Sequence, residues 1–184
     1  AGGNSNTTGM LRALVENQAE DAALGVLFDP VAAEEAHKIG VGKTITLALG
    51  GEPALGDLPF EGTFTIENLS NGNLTVKGPM MRGAKISLGP TACLRIDGVR
   101  VVVGSSKVQM LDRELYRIAG VEPEKMKILV NKSSIHFRAD FTPIAHSTIV
   151  AESPGPMVAD PVNLPWKRLT PGIRIRPNGP VFVE

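Results

Sequence analysis

An unbroken apolar run, Ala23-Leu24-Gly25-Val26-Leu27-Phe28, leads straight into Asp29-Pro30. Such a run is short for a helix and shows no polar alternation, so it predicts a strand covered on both faces. Asp29 is a good helix cap, and Pro30 at the first helical position gives up an N–H that has no partner there anyway. The helix continues through Val31–Ile39 and stops at Gly40, where a left-handed residue closes the last turn. A doubly covered strand running into a helix commits residues 23–40 to an α/β layer arrangement.

The pattern then changes to period two. Thr44–Leu49, Phe60–Ile66, Ala84–Leu88, Thr91–Ile96 and Val99–Val103 read as strands. Asp97-Gly98 predicts a two-residue hairpin, and Asn71-Gly72 carries the strongest short hairpin signal. Helical spacing returns with Leu111, Leu115 and Ile118, ended by Gly120, and Met126–Val130 is a strand. Ser133 or Ser134 is placed to cap a short helix holding Ile135, Phe137 and Phe141, limited by Pro143. Thr148-Ile149-Val150 is read as the last strand, and recurrent proline after Ser153 forbids regular elements beyond it. At the other end, a loop of small polar residues precedes a helix with Met10, Leu11, Leu14 and Val15 on one face, capped by Thr7 or Thr8.

The predicted fold class is therefore α/β: a small core of about three strands with flanking helices, carrying an antiparallel β-meander insertion. Residues 1–42 form the first part of the core, 43–105 the insertion, 106–152 the second part of the core and 153–184 an extended Pro-rich tail. The 184 residues suit one domain. With aromatics at 4%, Val, Ile, Leu and Ala must build the core. The 20 glycines and 14 prolines point to many tight turns rather than a long helical bundle.

Charge narrows the function classes. Nineteen basic residues balance nineteen acidic ones, which argues against a nucleic-acid partner. Four cations near the end, Lys167, Arg168, Arg174 and Arg176, read as a solvated tail. No apolar stretch approaches the ~18 residues of a membrane span, and Ala1–Met10 lack the features of a signal peptide. The lone Cys93 sits in an apolar stretch, reads as core and fits a reducing, cytoplasmic setting. The chain does not begin with Met and reads as a piece of something longer.

Open α/β sheets bind ligands where strands end before helices, which points to Asp29, Gly104-Ser105-Ser106 and Lys132-Ser133-Ser134. His37, His136 and His146 stand in no metal-ligand spacing, and no metal ligand is predicted in this chain. His37 and His146 read as exposed side chains. Lys132-Ser133-Ser134-Ile135-His136-Phe137-Arg138 gathers two cations, two serines and a histidine at a predicted helix start, suited to a carboxylate or other anion. Ordinary capping with surface charge accounts for the same string equally well. There is no G-x-S-x-G, G-x-G-x-x-G or Walker loop, and no Ser-His-Asp triad assembles, so the chain does not read as a self-sufficient enzyme.

Several strings occur together: Gly2-Gly3-Asn4-Ser5-Asn6-Thr7-Thr8-Gly9-Met10-Leu11, Phe28-Asp29-Pro30, His37-Lys38-Ile39-Gly40-Val41-Gly42, Gly78-Pro79-Met80, Leu88-Gly89-Pro90-Thr91-Ala92, Val108-Gln109-Met110-Leu111-Asp112 and Lys132-Ser133-Ser134-Ile135-His136-Phe137-Arg138-Ala139. In this order they resemble the C-terminal domain of the MlrC-type metallopeptidases, the microcystinase C family. The resemblance spans about residues 1–170, and the Lys-Ser-Ser-x-His-Phe-Arg-Ala string is its most specific part. It implies an enzyme about twice this length, whose zinc is held by an N-terminal domain. The member that names the family hydrolyses linearised products of a cyclic peptide toxin. For this chain the resemblance implies a partner role: closing the cleft of that N-terminal catalytic domain over a peptide or small amide substrate, the fragment alone being inactive. The substrate-binding candidates are Gly3, Asn4, Ser5, Gln109, Lys132, Ser133, Ser134, His136 and Arg138, with no catalytic residue assigned. The alternative is a structural or oligomerisation domain, with a homo-oligomer formed through the β insertion. A third reading is a free-standing binder of small anions or peptides.

Overall fold

The computed structural model describes residues 5–152 and 160–183. Gly3 and Asn4, and part of the Pro-rich tail, lie outside the described residues. The element order is α1 (Gly9–Glu16), β1 (Ala22–Phe28), α2 (Pro30–Ile39), β2 (Thr44–Leu49), β3 (Phe60–Ser70), β4 (Asn73–Thr75), β5 (Lys85–Ser87), β6 (Thr91–Ile96), β7 (Val99–Gly104), α3 (Glu114–Arg117), β8 (Ile128–Asn131) and α4 (Arg138–Phe141). Six strands form one sheet in the order β2-β3-β6-β7-β1-β8, and β4 and β5 form a small separate ladder. The fold class is α/β.

Strands β7 and β8 both run parallel to β1, while β2, β3, β6 and β7 pair antiparallel in succession. The meander thus joins the core sheet directly, with β7 belonging to both. Its run Val-Arg-Val-Val-Val-Gly is almost wholly buried, as a strand covered on both faces must be. The parallel part contains three strands, but its third member is β7 rather than Thr148–Val150. That segment forms no strand: Ile149 and Val150 are 86% and 74% exposed.

Two core clusters sort by strand period. Val99, Val101, Val103, Ala92 and Leu94 face one cluster, which also holds Leu11 and Leu14 of α1 and Ala32, Ala33 and Ala36 of α2. Val102 and Cys93 face the other, with Leu115 and Tyr116 of α3 and Phe141 of α4. Side chains alternate faces along a strand, so helices cover the sheet on both sides. The small alanines of α2 let its backbone come close to the sheet. The chain start of α2 follows the sequence expectation: the Ala32 amide donates to Asp29 Oδ1 at 3.0 Å, and Gly40 ends the helix at φ 98°.

β1 changes phase partway. Ala22 and Leu24 face the first cluster and Ala23 the second, yet Leu27 faces the first and Val26 the second. The pairing register with β7 slips between Leu24 and Leu27. The slip falls at Gly25, where a Cβ would stand 2.9 Å from the Tyr116 ring. Tyr116 is fully buried, and its hydroxyl donates toward the carbonyls of Ala23 at 3.3 Å and Val130 at 3.0 Å. Burial pushes its pKa up, so it remains a neutral donor.

Three local expectations are corrected. Asn71-Gly72 makes no hairpin: β3 pairs with β6, and β4 with β5, because the long β3 finds its apolar partners in β6. Ser133 and Ser134 cap no helix, since α4 begins only at Arg138 and runs four residues. Thr8 flanks α1, but its side chain makes no cap bond within the helix, because its hydroxyl goes to the Leu58 carbonyl at 2.7 Å and lies 3.0 Å from Asp57 Oδ1 instead. Asp97-Gly98 does join β6 and β7 as a two-residue hairpin, with Ile96 opposite Val99. Among the described residues no helix is long and apolar enough to cross a membrane.

Gly25→Ala is expected to destabilise the chain by about 1–3 kcal/mol, because the added methyl must displace a packed buried ring. Urea unfolding of the two proteins checks this; an unchanged midpoint would remove Tyr116 packing as the reason for the glycine.

Candidate functional site

The parallel strands β7, β1 and β8 end on one edge of the sheet, at Gly104, Phe28 and Asn131. Segment 5–8 crosses that edge. The Phe28 amide donates to the Ser5 carbonyl at 2.8 Å, and the Gly51 amide donates to the Asn6 carbonyl at 2.8 Å. Asn6 Nδ2 returns a bond to the Gly51 carbonyl at 3.1 Å. Gly50 is required here: its φ is +53°, and a Cβ would lie 2.3 Å from the Asn6 carbonyl oxygen.

Two carboxylates hold the segment in place. Asp29 caps α2 through Oδ1 and accepts the Gly50 amide on Oδ2 at 2.9 Å. Buried Asp57 accepts the Thr8 amide on both oxygens at 3.2 Å, and the Thr8 hydroxyl lies 3.0 Å from its Oδ1. Charged acceptors on amides are the stronger kind of hydrogen bond, so the segment is built rather than loosely draped.

Lys132, just past β8, reaches the same segment. Its ammonium donates to the Thr7 carbonyl and to the Thr7 hydroxyl, each at 2.9 Å. Burial pulls the Lys132 pKa down to about 8, against the opposing pull of Asp57. An ammonium has three donors, and Thr7 takes two. Lys107 adds a second cation on this edge, its ammonium 5.1 Å above the centre of the Phe28 ring.

Strand alternation puts Asn131 on the face opposite Val130, and the chain then turns at Lys132, where the Ser133 amide donates to the Asn131 carbonyl at 2.8 Å. Val130 packs with the α1–α2 cluster, and Leu129, Val108 and Phe137 with the α3–α4 cluster. On that second side His136 Nδ1 lies 2.7 Å from Gln109 Oε1, and the Met110 amide donates to the Lys132 carbonyl at 3.4 Å. With the carboxamide oxygen accepting, the imidazole proton sits on Nδ1, and Nε2 is left as the acceptor.

The sequence candidates therefore divide. Lys132 reaches the 5–8 segment that also holds Ser5, Gln109 pairs with His136, and Ser133 closes the turn that follows β8. Ser134 and Arg138 are exposed, Arg138 lying 5.3 Å over the Phe137 ring. Gly3 and Asn4 lie outside the described residues. Thr7, Asp57 and Asn131 were not picked out by sequence reasoning. Asp57 lacks any local signal, because its partner Thr8 is 49 positions away. Asn131 lies one residue past the strand predicted at Met126–Val130 and closes β8 in the structure.

The residues present do not fit a metal. Among the described residues no group of three or more His, Cys, Asp or Glu could hold one. The two buried acids beyond this edge are already engaged. Asp112 accepts the Lys77, Gly78 and Glu114 amides, and Asp140 accepts the Arg113 amide and pairs with its guanidinium. Gly78 lies so close that a Cβ would stand 2.9 Å from both carboxyl groups, which explains the glycine of the Gly78-Pro79-Met80 string. Cys93 is buried and no nucleophile: desolvation, with the Glu67 carboxylate beside it, pushes its thiol up to about 12.

The Lys132 pKa has a stability consequence. The folded ammonium releases its proton near pH 8, whereas an unfolded lysine keeps its own to 10.5. Between those limits the unfolded chain binds more protons, so this group makes folding more favourable as pH rises from about 8 to about 10.5 and changes nothing below. Lys132→Met is expected to abolish that gain. Urea midpoints of both proteins at pH 7 and pH 10 check this, and an identical pH dependence would refute a depressed Lys132.

With this geometry in view, the chain was compared with known proteins. The family described as MlrC C-terminus matches residues 1–168. Microcystinase C of a Sphingomonas species is 26% identical over 153 residues, covering 83% of this chain and 29% of that protein. A crystal structure of a Mesorhizobium sp. BNC1 protein, provisionally named a metallopeptidase, superposes with a TM-score of 0.70 at 25% identity, over 78% of this chain and 29% of that one. The chain thus spans under a third of the length of either relative. The family match runs over most of the sequence, and the chain belongs to the MlrC C-terminal family.

Proposed function

We propose that this domain forms one wall of the substrate cleft of a metallopeptidase, closing over a catalytic zinc carried by a separate N-terminal domain. The family membership and the names of the two relatives support a peptidase-related role. The observation that carries the reading is Lys132. A half-buried ammonium stands at the ligand-binding edge of an α/β sheet, held on two of its donors by Thr7. Its third donor is available to a substrate carboxylate, or to negative charge developing on a scissile carbonyl. Because Asp57 and Asp29 fix the 5–8 segment, the ammonium is held in position before substrate arrives, and no reorganisation cost falls on the reaction.

His136 and Gln109 act on the other side of β8. The Gln109 oxygen orients the imidazole, which then presents Nε2 to an incoming N–H. Ser5 and Ser133 complete the substrate-facing set. Gly3 and Asn4, adjoining the 5–8 segment in sequence, extend it, while Ser134 and Arg138 act at its exposed rim. The substrates are linear peptides or related amides, the place of action is the cytoplasm, and the isolated domain is inactive without the metal-bearing part. A second reading, an assembly module, is favoured by the strongly exposed apolar side chains of Ile149 and Val150.

The test uses the chain joined to the metal-binding portion of its longer relatives. Lys132→Met is expected to lower kcat/KM on linear peptides about 10²-fold, the usual loss for one positioned electrostatic donor. Metal content and cooperative melting should be unchanged, and activity of the parent should fall as pH rises through 8. Full turnover by a folded, metal-loaded Lys132→Met protein would overturn the reading.

A further inference from the structure

Thr7 and its segment engage Lys132, but groups around the end of β8 find no partner among the described residues. Three buried side-chain atoms there have no hydrogen-bond partner among the described residues: Asn131 Oδ1, Ser133 Oγ and Gln109 Nε2. Buried polar groups are nearly always paired, so three at one strand end need a physical reason. They are close in the structure. Ser133 N donates to the Asn131 carbonyl, and Gln109 precedes Met110, whose amide bonds Lys132.

Their chemistry is mixed. The Asn131 oxygen can only accept, the Gln109 nitrogen can only donate, and the Ser133 hydroxyl does either. A carboxylate would leave the Asn131 oxygen opposed by like partial charge, and an ammonium would leave the Gln109 nitrogen unused. A peptide unit, with one N–H and one C=O, matches both.

The backbone beside them is also open. β8 is terminal in the sheet and pairs only with β1. The Ile128 and Lys132 amides both point to β1, bonding the Asp21 and Gly25 carbonyls. In a parallel ladder alternate residues face opposite edges, so the Leu129 and Asn131 amides point away from β1.

We propose that an extended peptide adds as a strand along the outer edge of β8, and that Asn131, Gln109 and Ser133 read one of its amide units. All three residues are half-buried at the strand end, so a side-chain rotation carries their polar atoms to an arriving amide. Main-chain bonds supply the affinity in this mode, which makes binding tolerant of side-chain sequence. The inference deepens the peptidase reading and rests on it only in calling the peptide a substrate.

The test uses the 184-residue chain and an N-acetylated, C-amidated tetrapeptide of alanine and leucine, which carries no charge. Titration followed by amide NMR is expected to give saturable shifts at Leu129–Ser133. N-methylation of the central peptide bonds should abolish them. Gln109→Glu, which turns the donor into an acceptor, should weaken binding about tenfold, the scale of one lost hydrogen bond. Lys38→Gln, at an exposed cation of α2 outside this edge, should leave it near the parent value. No saturable shift at millimolar peptide, or equal binding of the N-methylated peptide, would overturn the proposal, as would a folded Gln109→Glu protein with parental affinity. Peptide binding concerns the edge of β8 and not Lys132, so this outcome is independent of the turnover test: either can fail while the other holds.

Discussion

Strand β1 must be dry on both faces, and everything else is arranged around that requirement. It lies between β7 and β8, all three parallel, with α1 and α2 over one face and α3 and α4 over the other. Parallel strands with both faces covered are the condition under which helices on two sides can share one sheet. The slip at Gly25 lets the strand keep a large side chain on each face while Tyr116 packs against its backbone. Burying one such apolar side chain is worth about 1.5–3 kcal/mol, so Leu24, Val26 and Leu27, all buried, contribute heavily to a marginal total.

The same parallel alignment creates the site. Three strand ends on one edge leave main-chain groups to be satisfied, and segment 5–8 does part of that through the Ser5 carbonyl and Phe28. The segment would otherwise have little to hold it. Asp29 and Asp57 fasten it through backbone amides, and Lys132 joins it to the end of β8. Desolvation makes that ammonium costly to keep charged, which is why its proton is held less tightly than in water. A polar site placed between two dry cores has fewer competing waters, so each charge there acts more strongly than on an open surface.

Much of this was legible in the residues. The Ala23–Phe28 run, the Asp29-Pro30 start and the Gly40 stop marked β1 and α2 nearly to the residue, because each is a local steric or capping rule. The period-two strands at 44–49, 91–96 and 99–103 were equally plain. The edge itself was foreseen at Asp29, Gly104 and Lys132, since a strand must end where its pattern ends. Local signals misled where long-range pairing prevailed. Asn71-Gly72 is a hairpin turn by chemistry, but β3 had a better partner in β6. Thr148-Ile149-Val150 has the side chains of a strand but pairs with none among the described residues. Ser133 has the chemistry of a cap, yet its amide closes a tight turn onto the Asn131 carbonyl, residues 134–137 bend and turn, and the helix starts only at Arg138.

The sequence by itself determined the α/β class, the order of the elements from α1 to β3 and of β6 and β7, and the polar strings at the strand ends, because periodicity, capping and glycine placement act over a few residues. Only the tertiary structure decided which strands are neighbours, that β7 serves both the meander and the parallel core, and that Lys132, just past β8, reaches the segment at the other end of the chain. It alone joined Thr8 to Asp57 and Thr7 to Lys132, pairs 49 and 125 residues apart. The physical reason is that such contacts depend on how two dry faces are shared among distant segments, and no local preference of a residue encodes that.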